Sequence, residues 1–289
     1  MEKKELRAKI YSKIDELPTL PAVIPKLLSL TESDRSNASD VTDVIFRDPA
    51  LTSKILKVAN SAYYGFSQEI SNLERAVALL GFNMVKSLAL SIGVIHSLPS
   101  GKKSLNFSQE GLWIHSLAVA TVMQEFGERF GKGDDKGHLF IIGLLHDIGK
   151  IVLDQFFSEL FQQVLEETHN RGKAELYMAE RRVIGFDHGE VGAMLLTRWR
   201  FPDMISNPIE FHHQTEIPEG TDANDVAILR IANVLPQELG LGDEGNPVSP
   251  EIDEEDLKIL KMKEKELEDM RAYLHGARDG IYSLFSAMS

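Results

Sequence analysis

The chain has no cysteine, so disulfides, thiolate metal ligands and cysteine nucleophiles are excluded and a reducing compartment is expected. It has no run approaching the ~20 apolar residues of a membrane span. Its opening Met-Glu-Lys-Lys-Glu-Leu-Arg is mixed in charge with no apolar stretch behind it, which is not a signal peptide and points to the cytoplasm. Runs of alternating β-branched residues are missing, so no strand pattern emerges. Cations are the scarcer charge: a formal net charge of −13 disfavours nucleic-acid phosphates and anionic lipid as principal partners, so neither DNA nor a membrane is expected. Internal repeats and low-complexity tracts are absent as well.

What remains is a foldable chain of 289 residues, 43% hydrophobic and 26% charged, long enough for more than one lobe. Apolar residues recur at three and four, which predicts an all-α protein. Leu17-Pro18-Thr19-Leu20-Pro21 leads into the stripe Val23, Leu27, Leu28 and Leu30. Ser39 reads as an N-cap, and Asp48-Pro49 opens a helix that Asn60 to Gly65 closes. Helices over 72–80 and 83–98, broken at Gly81 and Phe82, have a helix-turn-helix look. The second offers only Lys86 as a cation, so two packed helices of a bundle are expected rather than a DNA reader.

Further helices are expected over 109–130, 138–148 (ended by Gly149), 156–170, 174–184, 187–199, 207–214 and 224–239. The loop 99–106 and the segment 240–250 are candidate boundaries, dividing the chain into 1–104, 105–240 and a C-terminal extension, 241–289. Ser249, Pro250 and Glu251 open a final helix pair, and the acidic run Glu251 to Asp256 reads as its solvated start.

Histidines and carboxylates fall where these helices would bring them together. His115 shares an inward stripe with Leu112, Val119, Val122 and Phe126; alone it would be a structural core histidine. The buried run Ile141 to Leu145 ends in His146, Asp147, Ile148, Gly149 and Lys150. Burying adjacent imidazole and carboxylate groups costs several kcal/mol unless something pairs with them, and a divalent cation would. Asp187 and Glu190 have an ordinary explanation as a capping box, but His188 between them does not. His212 and His213 close a short helix, where the helix dipole would favour one imidazolium more readily than two.

Imidazole and carboxylate without thiolate suit iron, manganese, nickel or zinc. One or two such ions would lower the pKa of bound water and could direct hydroxide at phosphorus. Lys150 is then either a phosphate-facing cation or a solvated lysine beyond a helix end.

The order His115, His146-Asp147 within Leu-Leu-His-Asp-Ile-Gly-Lys, His188-Gly189 and His212-His213 resembles the HD superfamily of metal-dependent phosphohydrolases, particularly its cyclic di-GMP-cleaving branch. Leu17 to Pro21, Asp48 to Thr52, Val58-Ala59-Asn60-Ser61-Ala62-Tyr63-Tyr64-Gly65 and Ala76 to Gly81 resemble the HDOD (HD-related output) domain of bacterial signalling proteins, over about residues 12–215. The resemblance implies an N-terminal helical lobe on a degenerate HD-like bundle, serving signal transduction through a regulatory protein partner. HDOD domains are regarded as non-catalytic relatives that often lack metal ligands, whereas this chain keeps most of the set. The closing aspartate of the active enzymes aligns with Asn233, a weaker, neutral ligand. Gly111 stands where a glutamate would precede His115, and Gln214-Thr215-Glu216-Ile217-Pro218 replaces the Gly-Tyr-Pro signature. The set thus predicts a metal-binding regulatory module with His115, His146, Asp147, His188, His212, His213 and Asn233 around the ion. The alternative is a metal-dependent phosphohydrolase of a nucleotide or cyclic dinucleotide using Asp147 and Lys150.

Overall fold

The computed structural model describes residues 3–31, 38–101, 104–130, 137–171, 175–248 and 250–289, and within them the chain is helical with no strand. The first helices are α1 (Lys3–Glu16), α2 (Val23–Thr31), α3 (Ala38–Phe46), α4 (Pro49–Ala59), α5 (Leu73–Leu80) and α6 (Phe82–Ser97). Then come α7 (Gln109–Phe130), α8 (Gly137–Leu145), α9 (Ile148–Phe156), α10 (Ser158–Arg171) and α11 (Leu176–Val183). After them run α12 (His188–Arg198), α13 (Asp203–Phe211), α14 (Ala223–Glu238), α15 (Glu254–Leu260) and α16 (Glu264–Met288).

Local chemistry sets most of these boundaries. Asp48 accepts from Ala50 N and Leu51 N with Pro49 in the first turn, and Asn72 caps α5 through Arg75 N at 2.8 Å. The Asn60 amide ties Leu56 O at 2.8 Å and Ile70 O at 2.9 Å, pinning the loop after α4. Gly81, at φ 85°, turns the chain between α5 and α6. α6 then packs against α2, α4, α5 and α8, and Lys86 is buried with its ammonium over the Phe82 ring. Among the described residues no single helix is long and apolar enough to cross a membrane.

Several expected boundaries move. The helix predicted over 138–148 stops at Leu145, the chain turns at His146 and Asp147, and α9 begins at Ile148 with Gly149 inside it. Gly149 looked like a terminator, but it is there for contact. A Cβ at Gly149 would stand 2.0 Å from the His188 carbonyl oxygen and 2.8 Å from Gly192 N, so only glycine lets α9 and α12 cross this closely. α13 starts at Asp203, not Asn207, because Pro208 is carried inside the helix. Asp222 caps α14 by accepting from Asn224 N, and Asp225 faces His138 at 3.3 Å. Ser39 lies within α3 rather than capping it. Asp253 caps α15, and Asp256 turns inward to Arg230 instead of solvent. Gly131 to Lys136 of the expected break, Lys102 and Lys103 of the first candidate boundary, the predicted helix start at Ala174, and Ser249 lie outside the described residues.

One apolar cluster runs from Leu6 to Met288. α7 packs against α8, α14 and α16; α12 lies between α9 and α13, with α1 against it; α16 also reaches α4. The segment after α14 crosses α7 at Gly111, where Asp243 N donates to the Gly111 carbonyl at 3.0 Å. A Cβ at Gly111 would lie 2.8 Å from Asp243 O. The position where the resemblance implied a glutamate is therefore a backbone crossing point.

Gly149→Ala should lower stability by about 1–3 kcal/mol through overpacking against the His188 carbonyl. A shift in denaturant midpoint measures it, and an unchanged midpoint would refute the crossing.

Candidate metal centre

Five helix segments supply the centre. His115 comes from mid-α7, His146 and Asp147 from the turn between α8 and α9, and His188 from the first residue of α12. His212 and His213 follow α13, and Asn233 sits on α14. His146, Asp147, His115 and His188 are no more than 2% exposed, and His212 only 3%.

The rings are oriented from outside. His146 Nδ1 lies 2.8 Å from Gly143 O, His212 Nδ1 2.6 Å from Ile209 O, and His188 Nδ1 2.7 Å from the Glu180 carboxylate. Each partner only accepts, so each Nδ1 carries the proton and, in the neutral ring, Nε2 presents a lone pair inward. Inside, the Nε2 atoms meet amide, carboxylate and imidazole atoms. His146 Nε2 faces Asn233 Oδ1 at 3.2 Å and Asp147 Oδ2 at 3.3 Å; His188 Nε2 faces Asp147 Oδ1 at 3.0 Å. His213 Nε2 is 3.0 Å from His188 Nε2, and His115 Nε2 is 2.8 Å from Asn233 Oδ1. Among the described residues His212 Nε2 is buried without a hydrogen-bond partner.

Two triads of possible ligands result, His115–His146–Asp147 and His188–His212–His213, with ligand atoms in each within 4.8 Å of one another. Asp147 lies between them, Oδ2 toward the first and Oδ1 toward His188. Separations near 3 Å between these nitrogen and oxygen atoms are also what neighbouring ligands of one ion adopt when each bond is about 2.0–2.2 Å. The donor set therefore fits a divalent cation on this structure's own geometry.

Burial holds His115 neutral down to about pH 3. Burial, then the neighbouring rings, likewise push His212 and His213 well below the usual histidine range. His188 goes the other way: burial opposes its charge, but Glu180 and Asp147 raise it to about 9. Burial also opposes the Asp147 carboxylate, yet His146, Lys150 and His188 together keep it well below its ordinary value.

Two residues that sequence reasoning missed complete the site. Glu180 is fully buried and also accepts from His188 N at 2.8 Å. Its place on the α11 face shared with Leu176 and Ile184 was the available signal. Glu244, in the segment after α14, offered none, and its carboxylate pairs with Lys150. Lys150 is neither solvated nor open to a phosphate: it is 3% exposed and held by Asp147 at 2.8 Å and by Glu244. The Asp187–Glu190 capping box forms as expected, and Arg181 adds a second bond to Asp187 at 2.6 Å.

A family model for the HDOD domain matches residues 17–215. The chain belongs to the HDOD family. An HDOD domain protein of unknown function from Geobacter sulfurreducens has a crystal structure that superposes with a TM-score of 0.81 at 26% identity, covering 97% of each chain. A Shewanella amazonensis protein provisionally named a phosphohydrolase has a TM-score of 0.75 at 21% identity, covering 97% of this chain and 98% of its own; at that identity it shares the fold alone. Among curated proteins, an uncharacterized one from Treponema pallidum is 28% identical over 214 residues, 72% of this chain and 40% of that protein. The uncharacterized YuxH of Bacillus subtilis matches over 61 residues at 39%, covering 21% of this chain and 15% of its own. This HDOD chain thus spans well under half the length of the curated relatives it matches.

Metal-free protein should be most stable near pH 6.5. Below that value the unfolded chain protonates His115, His212 and His213 while the fold leaves them neutral, so stability falls as pH drops, on the order of 1 kcal/mol per group per pH unit. Above it, the contribution of His188 is lost as pH rises toward 9. Denaturant titrations across pH check this, and an acid arm that His115→Gln does not flatten would refute it.

Proposed function

We propose that the chain is a regulatory HDOD module whose histidine cluster binds one or two divalent metal ions and whose output passes through a protein partner in the cytoplasm. The observation that carries this reading is the orientation of His146, His188 and His212. Each spends its Nδ1–H on an outer acceptor and leaves Nε2 to the centre, where those of His146 and His188 face Asp147. Without a metal ion the centre relies on the proton that His188 holds between Glu180 and Asp147; a divalent ion takes the place of that positive charge and makes the inward nitrogens ligands.

His115, His146 and Asp147 would hold one ion, and His188, His212 and His213 a second, with the neutral Asn233 carbonyl beside the first. A divalent ion supplies concentrated positive charge and Lewis acidity there, and imidazole–carboxylate donors suit iron, manganese, nickel or zinc. Glu180 orients His188 and makes its inward nitrogen more basic, as carboxylates behind metal-binding histidines do.

Three features favour regulation over phosphoester hydrolysis. Asn233 replaces the carboxylate of the active enzymes. Lys150 is neutralised by Asp147 and Glu244. The cleft of about 290 Å³ that reaches His212, His213 and Asn233 is lined by Glu175, Glu251, Asp253, Glu255 and Asp256, with Arg230 as its cation. Arg230 is committed to Asp256 and to the carbonyls of Phe211, His212 and Gln214. A nucleotide approaching through that cleft meets carboxylates, whereas a metal ion is drawn in.

Protein purified without chelator should carry iron, manganese, nickel or zinc by elemental analysis, and His146→Ala and Asp147→Ala should lose it. Cyclic dinucleotides and model phosphodiesters should show no turnover. Absence of binding to any of the four metals would end the metal reading, while metal-dependent turnover abolished in both variants would establish the hydrolase. Glu180→Gln should weaken metal binding about 10- to 100-fold with the fold intact. Unchanged affinity would remove Glu180 from the centre.

A further inference from the structure

The Tyr63-Tyr64 motif that helped identify the family has no part in the histidine cluster, yet it walls a second cleft. α16 and the loop after α4 touch at one end and diverge at the other. A Cβ on Gly280 would stand 3.1 Å from Tyr63 Cα, whereas one on Gly276, a turn earlier, would meet nothing within 4 Å. The gap is a cleft of about 660 Å³, lined chiefly by Tyr63, Tyr64, Gln124, Glu125, Tyr273 and Gly276. Its size is that of a small-molecule site. Gln124 lies nine residues along α7 from His115, about 13 Å of helix, and the cleft shares no lining residue with the metal centre.

Two polar atoms of this wall, Tyr64 Oη and Gln124 Oε1, are buried without a hydrogen-bond partner. Such groups are costly unless a ligand satisfies them. Tyr63 Oη is already bonded to Thr121 Oγ1 at 3.1 Å. Gly276 is a second unexplained feature. Glycine inside a helix is disfavoured, and here neither close packing nor a positive φ calls for it, so its effect is to keep the cleft open.

We propose that this cleft binds a small organic ammonium ion with an apolar body. Among the described residues no lysine, arginine or histidine lines it, and Glu125 does, so phosphate and carboxylate ligands are disfavoured. A purely apolar molecule would leave Tyr64 Oη and Gln124 Oε1 unpaired. An ammonium group can donate to either oxygen once its side chain turns toward the cleft, and tyrosine rings attract cations. Glu125 shares its Oε1 with Arg129 at 3.0 Å, which holds the carboxylate at the rim.

The test is calorimetric titration of the full chain with phenethylammonium, with phenylacetate as its charge-reversed counterpart. Phenethylammonium should bind saturably and phenylacetate at least about tenfold more weakly. Gly276→Leu, which points into open space, should abolish binding with helical content unchanged and thermal midpoint not lowered. Gln124→Met, close in shape but lacking the acceptor, should weaken binding about tenfold and decides the matter if Gly276→Leu does not fold. No saturable binding at millimolar concentration, equal binding of phenylacetate, or binding unchanged in both variants would overturn the proposal.

Discussion

Three imidazoles are held by their outer nitrogens, and the rest of the centre depends on that constraint. Gly143 O, Ile209 O and Glu180 accept the Nδ1–H bonds of His146, His212 and His188, which fixes the orientation of each ring and the direction of its Nε2. Two of these acceptors belong to the last turns of α8 and α13, where helix carbonyls are left without intrahelical partners. The ends of those helices therefore aim the rings. α9 and α12 bring the carboxylate to meet them, because Gly149 lets one backbone rest on the other.

Such a cluster has a clear electrostatic character. It joins rings kept neutral by burial to a carboxylate kept ionised by neighbouring positive charge, with His188 between two acids. The arrangement is poised for a cation, and its acidic mouth extends the same preference to the surface. Family membership alone does not predict this, since the resemblance implies that many HDOD domains have shed such ligands.

Much of this was legible in the chain itself. The three-four spacing announced an all-helical fold, and the inward stripe around His115 together with His146-Asp147 at the end of an apolar run marked the buried cluster. What escaped reading had physical causes. Gly149 carries the signature of a helix end, yet its role is contact between helices remote in sequence. Pro208 resembles a first-turn proline but sits inside α13. Glu180 hides among apolar residues as the one acid on its face, and Glu244 belongs to a segment with no periodicity to interpret.

The Glu244–Lys150 contact ties a crossing segment to the heart of the molecule. Residues 240–248 rest on α7 at Gly111 and place one carboxylate against the lysine that also holds Asp147. Lifting that segment would withdraw one negative charge from the interior and leave the ammonium to Asp147 alone, making the carboxylate a poorer host for a divalent ion. The lie of one surface strand of chain thus sets the electrical balance of a cluster it does not itself ligate.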